Sequence, residues 1–416
     1  MKIALLCIGD ELVTGQVVNS NSAFIASSLL DHGLRVSSHT VTGDSEKEIV
    51  DAVNFLAAGN DIVIATGGLG PTADDVTSAA VAKATGNPLE ENRHALAHIR
   101  ETVFRRNLLY STSADDKQAF LPAGSAIIRN PVGTASGFYL AHHGCRLFFL
   151  PGVPAEMELM LHESVIPCIK EIYGGKNTIR TARFNIFGLS EPETDEMLSG
   201  IANHEKGLFL CICVIFPWIR ITLRAESGSE EEADNLLRQA SETVREQLGG
   251  WIFSEDEISM EEKIAELFTR SGLTLSLAES CTGGMIAERL TSVPGSSAWF
   301  LEGRVTYSNA AKIRQLGVPE ELLERYGAVS CEVAEAMAVG IRVRSVSDLS
   351  IAVTGIAGPS GGSAGKPVGT VFISLADSEG CRTECFSFSG SREKIRVMST
   401  WKGMDWLRRY LLNLHA

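Results

Sequence analysis

The chain is predicted to be an α/β protein in three parts, on three observations. Strand-like and helix-like runs alternate through the first third at the pitch of parallel strands joined by crossover helices. Thr178 to Phe253 reads as strand, helix, strand, strand, helix and short strand. The remainder returns to buried strand runs and sets a long Gly, Pro and Ser loop between two of them. At 416 residues the length suits two or three domains, and 44% apolar with 21% charged residues is the balance of a globular protein.

In the first part Lys2 to Ile8 is predicted as a strand, because its apolar run meets Asp10 and Glu11 rather than a small-residue cleavage site. Ala23 to Leu30 follows as a helix with Phe24, Ile25 and Leu29 inward and Gly33 as its stop. Leu34 to Val41 is a strand, Glu46 to Ala57 a helix, and Asp61 to Thr66 a strand running into GGLGPTADDVT. Ligands of such doubly wound sheets bind at the C-terminal strand ends, where Gly9, Asp10, Glu11, Asp44 and Gly67 to Thr77 emerge. Gly67, Gly68 and Gly70 let a ligand approach the backbone, and Asp74 and Asp75 can hold a divalent cation against a pyrophosphate. The plainer alternative is that the two aspartates cap the following helix.

The middle part ends in a helix with an acidic start (Glu226, Glu230 to Glu232, Asp234) that stops at Gly249 and Gly250. It carries no G-x-x-G loop with flanking bases to clamp a nucleic-acid backbone, and it reads as an architectural or dimer-forming linker. Trp251, Trp299, Phe300, Trp401 and Trp406 read mostly as core.

In the third part Leu273 to Leu277 is a predicted strand, and Met285, Ile286 and Leu290 share one face of a helix. Between them AESCTGG puts Ser280 and Cys281 near a helix N-terminus, where free N–H groups favour a developing oxyanion. Nine histidines are present, but after residue 253 only His415 remains, which argues against a Ser-His-Asp triad or a histidine metal site built within this region. Lysine with a pKa lowered by burial is the usual substitute base. Lys312, one turn beyond a predicted strand from Arg304 to Tyr307, is the first candidate and Lys366 the second. Either Ser280 or Cys281 is chemically reasonable as the nucleophile. The alternative is that Ser280 is only a cap and Lys312 a solvated helix residue. Ser350 to Ala376 holds two strand runs, Ile351 to Val353 and Val371 to Leu375, around a glycine loop suited to phosphate.

A net charge of −14 argues against a general nucleic-acid or anionic-membrane binder, while small anionic substrates still fit local sites. Nine scattered cysteines, with Cys211 and Cys213 too close for an easy bridge, suit reduced thiols in a cytoplasm. No apolar run reaches membrane-spanning length.

AESCTGG, PGSS, VTYSNAAK, VTGIAGPSGG, KPVGTV and GSREKIR follow one another, over 258 to 416, as in the CinA C-terminal domain. That domain resembles the bacterial nicotinamide mononucleotide (NMN) deamidases. The resemblance implies hydrolysis of NMN to nicotinate mononucleotide and ammonia without a cofactor. It makes Ser280 the nucleophile, Lys312 its base and Tyr307 a neighbour that orients or relays the proton. Cys281, Thr282, Gly283, Gly295, Ser297, Thr354 and Gly355 would line the substrate pocket, with Arg392 and Arg396 on the phosphate. Glu302 and Arg304 stand where the family usually has smaller or apolar residues, and Ser391 replaces an Asp.

GDEL, Asn21, VTGD, GGLGPTADDVT, KQAFLPAG, NPVGTASGF and LPGVPAEM, from 1 to about 170, resemble the molybdopterin-binding (MoCF) fold in its CinA branch. The resemblance implies either binding of a pterin-like nucleotide or metal-dependent cleavage of ADP-ribose into AMP and ribose 5-phosphate. Asp44 and Asp75 would serve the metal (Mg, Mn or Co), with Glu11, Asn21, Thr72, Asp74, Thr77 and Lys117 around the pocket. Asp116 stands where Asn is usual, and Ser136 replaces a Pro. The middle part resembles the KH-like spacer of CinA proteins, although Cys211 to Ala225 is more apolar than the family's turn and suits a buried interface.

The implied division is 1–172 (MoCF-like), 173–254 (KH-like) and 255–416 (CinA C-terminal), in a homodimer. The rival is a non-catalytic competence or damage-response scaffold whose pockets bind nucleotides.

Overall fold

The computed structural model describes residues 1–106, 115–173, 178–255 and 258–412. The chain forms two compact units, Met1–Thr181 with Ala225–Asp234, and Ala182–Arg224 with Asn235–Ala416.

The first unit is built on a six-stranded sheet. β1 (Ile3–Ile8) lies beside β2 (Val36–Thr42) and β3 (Ile62–Thr66), and β8 (Cys145–Leu150) beyond β3, all four parallel. β7 (Gly137–His142) and β6 (Ala126–Ile128) extend the sheet antiparallel, giving the order β2-β1-β3-β8-β7-β6. The doubly wound pattern therefore holds for four strands, and the chain departs from it where its connections are short. Only His143 and Gly144 link β7 to β8, and both have positive φ (50° and 83°), as a two-residue hairpin turn of this hand requires.

β1 separates two cores. Ile3 and Leu5 pack with Ile25, Leu29, Met157 and Met160, while Ala4, Leu6 and Ile8 pack with Ile49, Val53, Ala80 and Val81. The helices that supply these residues include α1 (Ser20–Asp31), α2 (Glu46–Gly59), α3 (Thr77–Thr85) and α4 (Pro154–Met160). α1 starts earlier than its apolar periodicity because its first turn is polar and the Asn19 side chain accepts the Ser22 N–H.

In the middle of the chain, β9 (Thr178–Ile186), α5 (Glu191–Met197), β10 (Leu208–Ile215), β11 (Trp218–Ser227), α6 (Glu230–Leu248) and β12 (Ile252–Ser254) follow the expected succession. They form a sheet of order β10-β11-β9-β12. β10 is at its edge, with Cys211, Cys213, Val214, Ile215 and Phe216 exposed.

The third stretch forms a five-stranded sheet of order β14-β13-β15-β16-β17. β13 (Leu275–Glu279), β14 (Phe300–Val305) and β15 (Leu349–Gly355) are parallel, and β16 (Thr370–Ala376) and β17 (Cys381–Ser387) are antiparallel. The strand expected at Arg304 to Tyr307 lies earlier, because Thr306 and Tyr307 leave the sheet and Ser308 caps the next turn by accepting the Ala311 N–H. Helices α7 (Met260–Ser271), α8 (Met285–Thr291), α9 (Cys331–Ser345) and α10 (Arg392–Leu411) cover the sheet. Trp299, Trp401 and Trp406 are buried in its core. No cysteine is in a disulfide, and among the described residues no helix is long and apolar enough to cross a membrane.

α10 also carries a buried ion cluster. Asp405 accepts from Arg408 Nε at 3.0 Å and from Arg409 Nε at 2.8 Å, and Arg408 reaches on to the carbonyls of Gly250 and Ile252. Removing the shared anion would leave two guanidinium groups poorly compensated in a dry site. Asp405→Asn is expected to destabilise the chain by about 3–5 kcal/mol, seen as a lower denaturation midpoint. An unchanged midpoint would show that the cluster holds nothing together.

Candidate active sites

Ser280 is the first residue beyond β13. Its N–H donates to Val353 O at 2.9 Å, and Gly283 N–H closes the turn onto Ser280 O at 3.1 Å. Gly283 and Gly284 have φ of +65° and +96°, which lets the chain reverse into α8. Lys312 arrives from the loop after β14 and begins a π-helical turn, Lys312–Leu316. Its Nζ lies 3.0 Å from Ser280 Oγ and donates to Thr306 O at 2.8 Å.

The Lys312 side chain is buried, with only 1% of the residue exposed. Desolvation holds its pKa below lysine's ordinary value. A neutral amine at hydrogen-bond distance from a hydroxyl can act as a general base. Neither the capping reading of Ser280 nor the solvated reading of Lys312 fits this geometry.

Cys281 is different. Burial pushes its thiol up to about 12, so a thiolate is scarce at neutral pH. The pair that faces each other is Ser280 and Lys312.

Several expectations need correction. Three N–H groups at the start of α8 are taken: the Glu279 carboxylate, 1% exposed, accepts from Gly284 at 2.9 Å, Ile286 at 3.3 Å and Ala287 at 2.9 Å. An oxyanion cannot use those donors. Tyr307 is 61% exposed, and its hydroxyl accepts from Arg392 Nη2 at 2.7 Å. Arg392 also donates to Gly358 O, tying the glycine loop to Tyr307. Lys366 donates to Tyr326 O and is thereby engaged elsewhere.

Gly295 and Ser297 precede β14, whose first residue pairs with Leu275, whereas Ser280 follows the last residue of β13. The length of the strand, about 3.3 Å per residue, separates them from the nucleophile, so they do not join its pocket within this chain. Thr354 is buried and donates to Ala328 O at 2.7 Å, and Gly355 lies against the Thr370 carbonyl, so both shape the strand end. The Thr282 hydroxyl is buried without a partner, as is that of Thr306. Arg396 donates to the carbonyls of Cys281 and Thr282. Glu279 and Thr306 were not singled out from the sequence, although the first stands in the quoted AESCTGG.

In the first unit, Glu11, Asp44, Gly67, Gly68, Gly70, Asp74 and Asp75 line one cavity of about 390 Å³ at the C-terminal ends of the parallel strands. Gly67 is required by space as well as φ, since a Cβ there would lie 2.1 Å from Ile8 O. The Asp75 carboxylate accepts the Thr72 N–H at 2.9 Å and its hydroxyl, closing a turn that Lys117 supports by donating to Thr72 O. α3 starts only at Thr77, with Val76 as its cap residue, so the two aspartates do not cap it.

Burial raises the Asp44 carboxyl above its usual value, and the charges of Asp10, Glu11 and Asp74 add to this. Thr77 is buried and braces Gly67 O at 3.0 Å, so it supports the cavity without lining it, and Asn21 donates to Gly152 O at 2.7 Å. Thr134, Gly152 and Glu156 also line the cavity. They come from NPVGTASGF and LPGVPAEM, where buried Asn130 fixes the loop by accepting from Val132 and Gly133 and donating to Glu156. Among the described residues no three His, Cys, Asp or Glu side chains form a metal cage. Asp44 and Asp75 therefore do not make one on their own.

The fold and these sites define an α/β chain with a doubly wound N-terminal sheet and a C-terminal sheet bearing a serine–lysine pair. Residues 257–411 match the CinA C-terminal domain, and residues 4–171 the probable molybdopterin binding domain. A CinA-like protein of Geotalea uraniireducens is 49% identical, over 100% of this chain and 99% of its own length. Another, of Geobacter sulfurreducens, is 51% identical, over 99% of this chain and 100% of its own. The solved competence/damage inducible protein CihA of Agrobacterium tumefaciens shares 43% identity, covers 36% of this chain and 91% of its own, and has a TM-score of 0.35. The chain belongs to the CinA family.

Thiol chemistry checks the site. Iodoacetamide at about pH 8 is expected to alkylate exposed Cys211 and Cys213 and to spare Cys281 in the folded chain. Rapid alkylation of Cys281, read by peptide mass spectrometry, would show that a thiolate is available there after all.

Proposed function

We propose that the chain is a hydrolase of pyridine-nucleotide recycling that deamidates NMN to nicotinate mononucleotide and ammonia at its C-terminal site. The observation that carries this reading is the 3.0 Å approach of a buried lysine amine to Ser280 Oγ. Neutral Lys312 takes the hydroxyl proton as Ser280 Oγ attacks the amide carbon. The tetrahedral intermediate collapses with the C–N bond breaking, and Lys312 returns the proton to the leaving nitrogen, releasing ammonia. Water, deprotonated by the same amine, then cleaves the ester and restores Ser280, with nicotinate mononucleotide as product. Every proton moves between Ser280, Lys312, the substrate and water, so the amidase requires no cofactor.

For the first unit we propose cleavage of ADP-ribose to AMP and ribose 5-phosphate. The cavity's crowded carboxylates form an all-oxygen donor set that suits a hard divalent ion such as Mg, Mn or Co. Asp44 and Asp75 would hold it, with substrate oxygens and water completing its shell, and when bound it neutralises pyrophosphate charge. Gly67 to Gly70 admit the phosphates to the backbone, and the Lys117-supported turn keeps Asp75 in place. The exposed apolar tip of β10 supports a homodimer, which light scattering would test.

Wild-type protein is expected to release ammonia from NMN and Ser280→Ala to release none. No release from wild type would leave the scaffold reading. The rate should rise with pH as Lys312 loses its proton, with a midpoint below the ordinary lysine value of about 10.4; a flat profile would remove Lys312 as the base.

Stability gives a second handle. Burial holds the folded-state pKa of Lys312 below its unfolded value, so its burial is unfavourable at neutral pH and this penalty fades as pH rises to the unfolded value. Lys312→Met is therefore expected to abolish deamidation yet melt higher than wild type at pH 7, with the gap closing near pH 10; a lower melting point at pH 7 would contradict the desolvation argument. AMP production from ADP-ribose with added divalent metal should disappear in Asp75→Ala.

A further inference from the structure

Arg396, in the second turn of α10, donates from Nε to Cys281 O at 3.1 Å and from Nη2 to Thr282 O at 2.7 Å. Glu279 binds the N–H groups of Gly284, Ile286 and Ala287 from the other end. A carboxylate on the amides that follow the Ser280 turn and a guanidinium on the carbonyls within it leave the turn little freedom.

In a trans peptide the C=O and the next N–H point oppositely, so each carbonyl held by Arg396 also orients the N–H of Thr282 or Gly283. The Gly283 N–H is thereby directed onto Ser280 O, at 3.1 Å. The guanidinium sits directly against the turn, since a Cβ on Gly283 would lie 3.2 Å from Arg396 Nη2. Nε and Nη2 form one of the two edges by which a guanidinium can fork onto a phosphate, and here that edge binds backbone.

We propose that Arg396 and Glu279 are positioning residues that hold Ser280 against Lys312, and that Arg396 is not a ligand of the substrate phosphate. The proposal deepens, and rests on, the deamidase reading.

The test uses the full chain with Arg396→Lys and Glu279→Gln, two variants acting on different ends of the turn, each checked for folding by circular dichroism and melting. Labelling of Ser280 by a fluorophosphonate, followed by peptide mass spectrometry, needs no substrate. Both variants are expected to slow it about 100-fold, the loss that an ångström of misplacement brings. Kinetics are compared on NMN and on nicotinamide riboside, which carries the same amide without the phosphate. Arg396→Lys should lower kcat about 100-fold on both and leave the NMN KM within about threefold, the signature of a group that acts in the transition state.

A tenfold or greater rise in the NMN KM with riboside kinetics unchanged would make Arg396 a phosphate ligand and overturn the proposal. Labelling at the wild-type rate in both variants would also overturn it, as would a wild type that is not labelled at Ser280. A wild type labelled at Ser280 but inert towards NMN sinks only the deamidase reading, and the variants' labelling rates still decide the clamp.

Discussion

Lys312 brings an amine into a place where its bonded partners are a hydroxyl and a backbone carbonyl, neither of which carries charge. The C-terminal site depends on that arrangement. A carboxylate partner would stabilise the ammonium and leave the amine already protonated, whereas neutral partners leave desolvation to decide. The fold must supply the stability that the buried amine withholds. It does so through a sheet with apolar cores on its two faces, including Leu277, Ile351, Val353 and Trp401 on one and Ala278, Ala352 and Met337 on the other.

The same logic explains why Glu279 does not undermine the site. A buried carboxylate next to the nucleophile would be a hazard if its charge reached the lysine. Here three backbone N–H groups satisfy it, and its negative charge meets the positive end of α8. Glu279, next to Ser280 in sequence, and Lys312, 3.0 Å from its hydroxyl, thus keep separate hydrogen-bond partners, the carboxylate on backbone N–H groups and the amine on Ser280 Oγ and Thr306 O.

Much of this was legible in the sequence, and the boundary of legibility is physical. The glycine-rich turn after an apolar strand and the scarcity of histidine pointed to Ser280 or Cys281 with Lys312 ahead of Lys366, and the resemblance to the CinA C-terminal domain chose Ser280. The middle succession was legible because its strands and helices differ sharply in periodicity. The environment of each group was not. Glu279 in AESCTGG reads as an ordinary polar residue until the helix folds back onto it, and Arg396, expected on the substrate phosphate, is laid by α10 against carbonyls more than a hundred positions earlier. Gly295 and Ser297 mislead for a related reason: nearness in sequence does not say at which end of a parallel strand a loop emerges. In the first unit the glycine loop and Asp44 were legible from strand ends. Thr134 and Glu156 were not, since they reach the cavity through a loop and a helix organised by one buried asparagine.

The two candidate sites solve opposite electrostatic problems with similar architecture. Both sit where parallel strands end and backbone turns through glycines, and in the first unit that position opens on a cavity. In the first unit carboxylates accumulate around that space until burial and mutual repulsion raise Asp44, so the cavity favours whatever positive charge a substrate complex can bring. In the second, burial lowers the pKa of Lys312, and the guanidinium of Arg396 is bonded to main chain. A pyrophosphate needs neutralising charge throughout its cleavage, whereas an amide is neutral until attack creates an oxyanion. A lysine amine held 3.0 Å from the serine hydroxyl would meet that need without histidine, because taking the proton puts a positive charge beside the oxyanion as it forms.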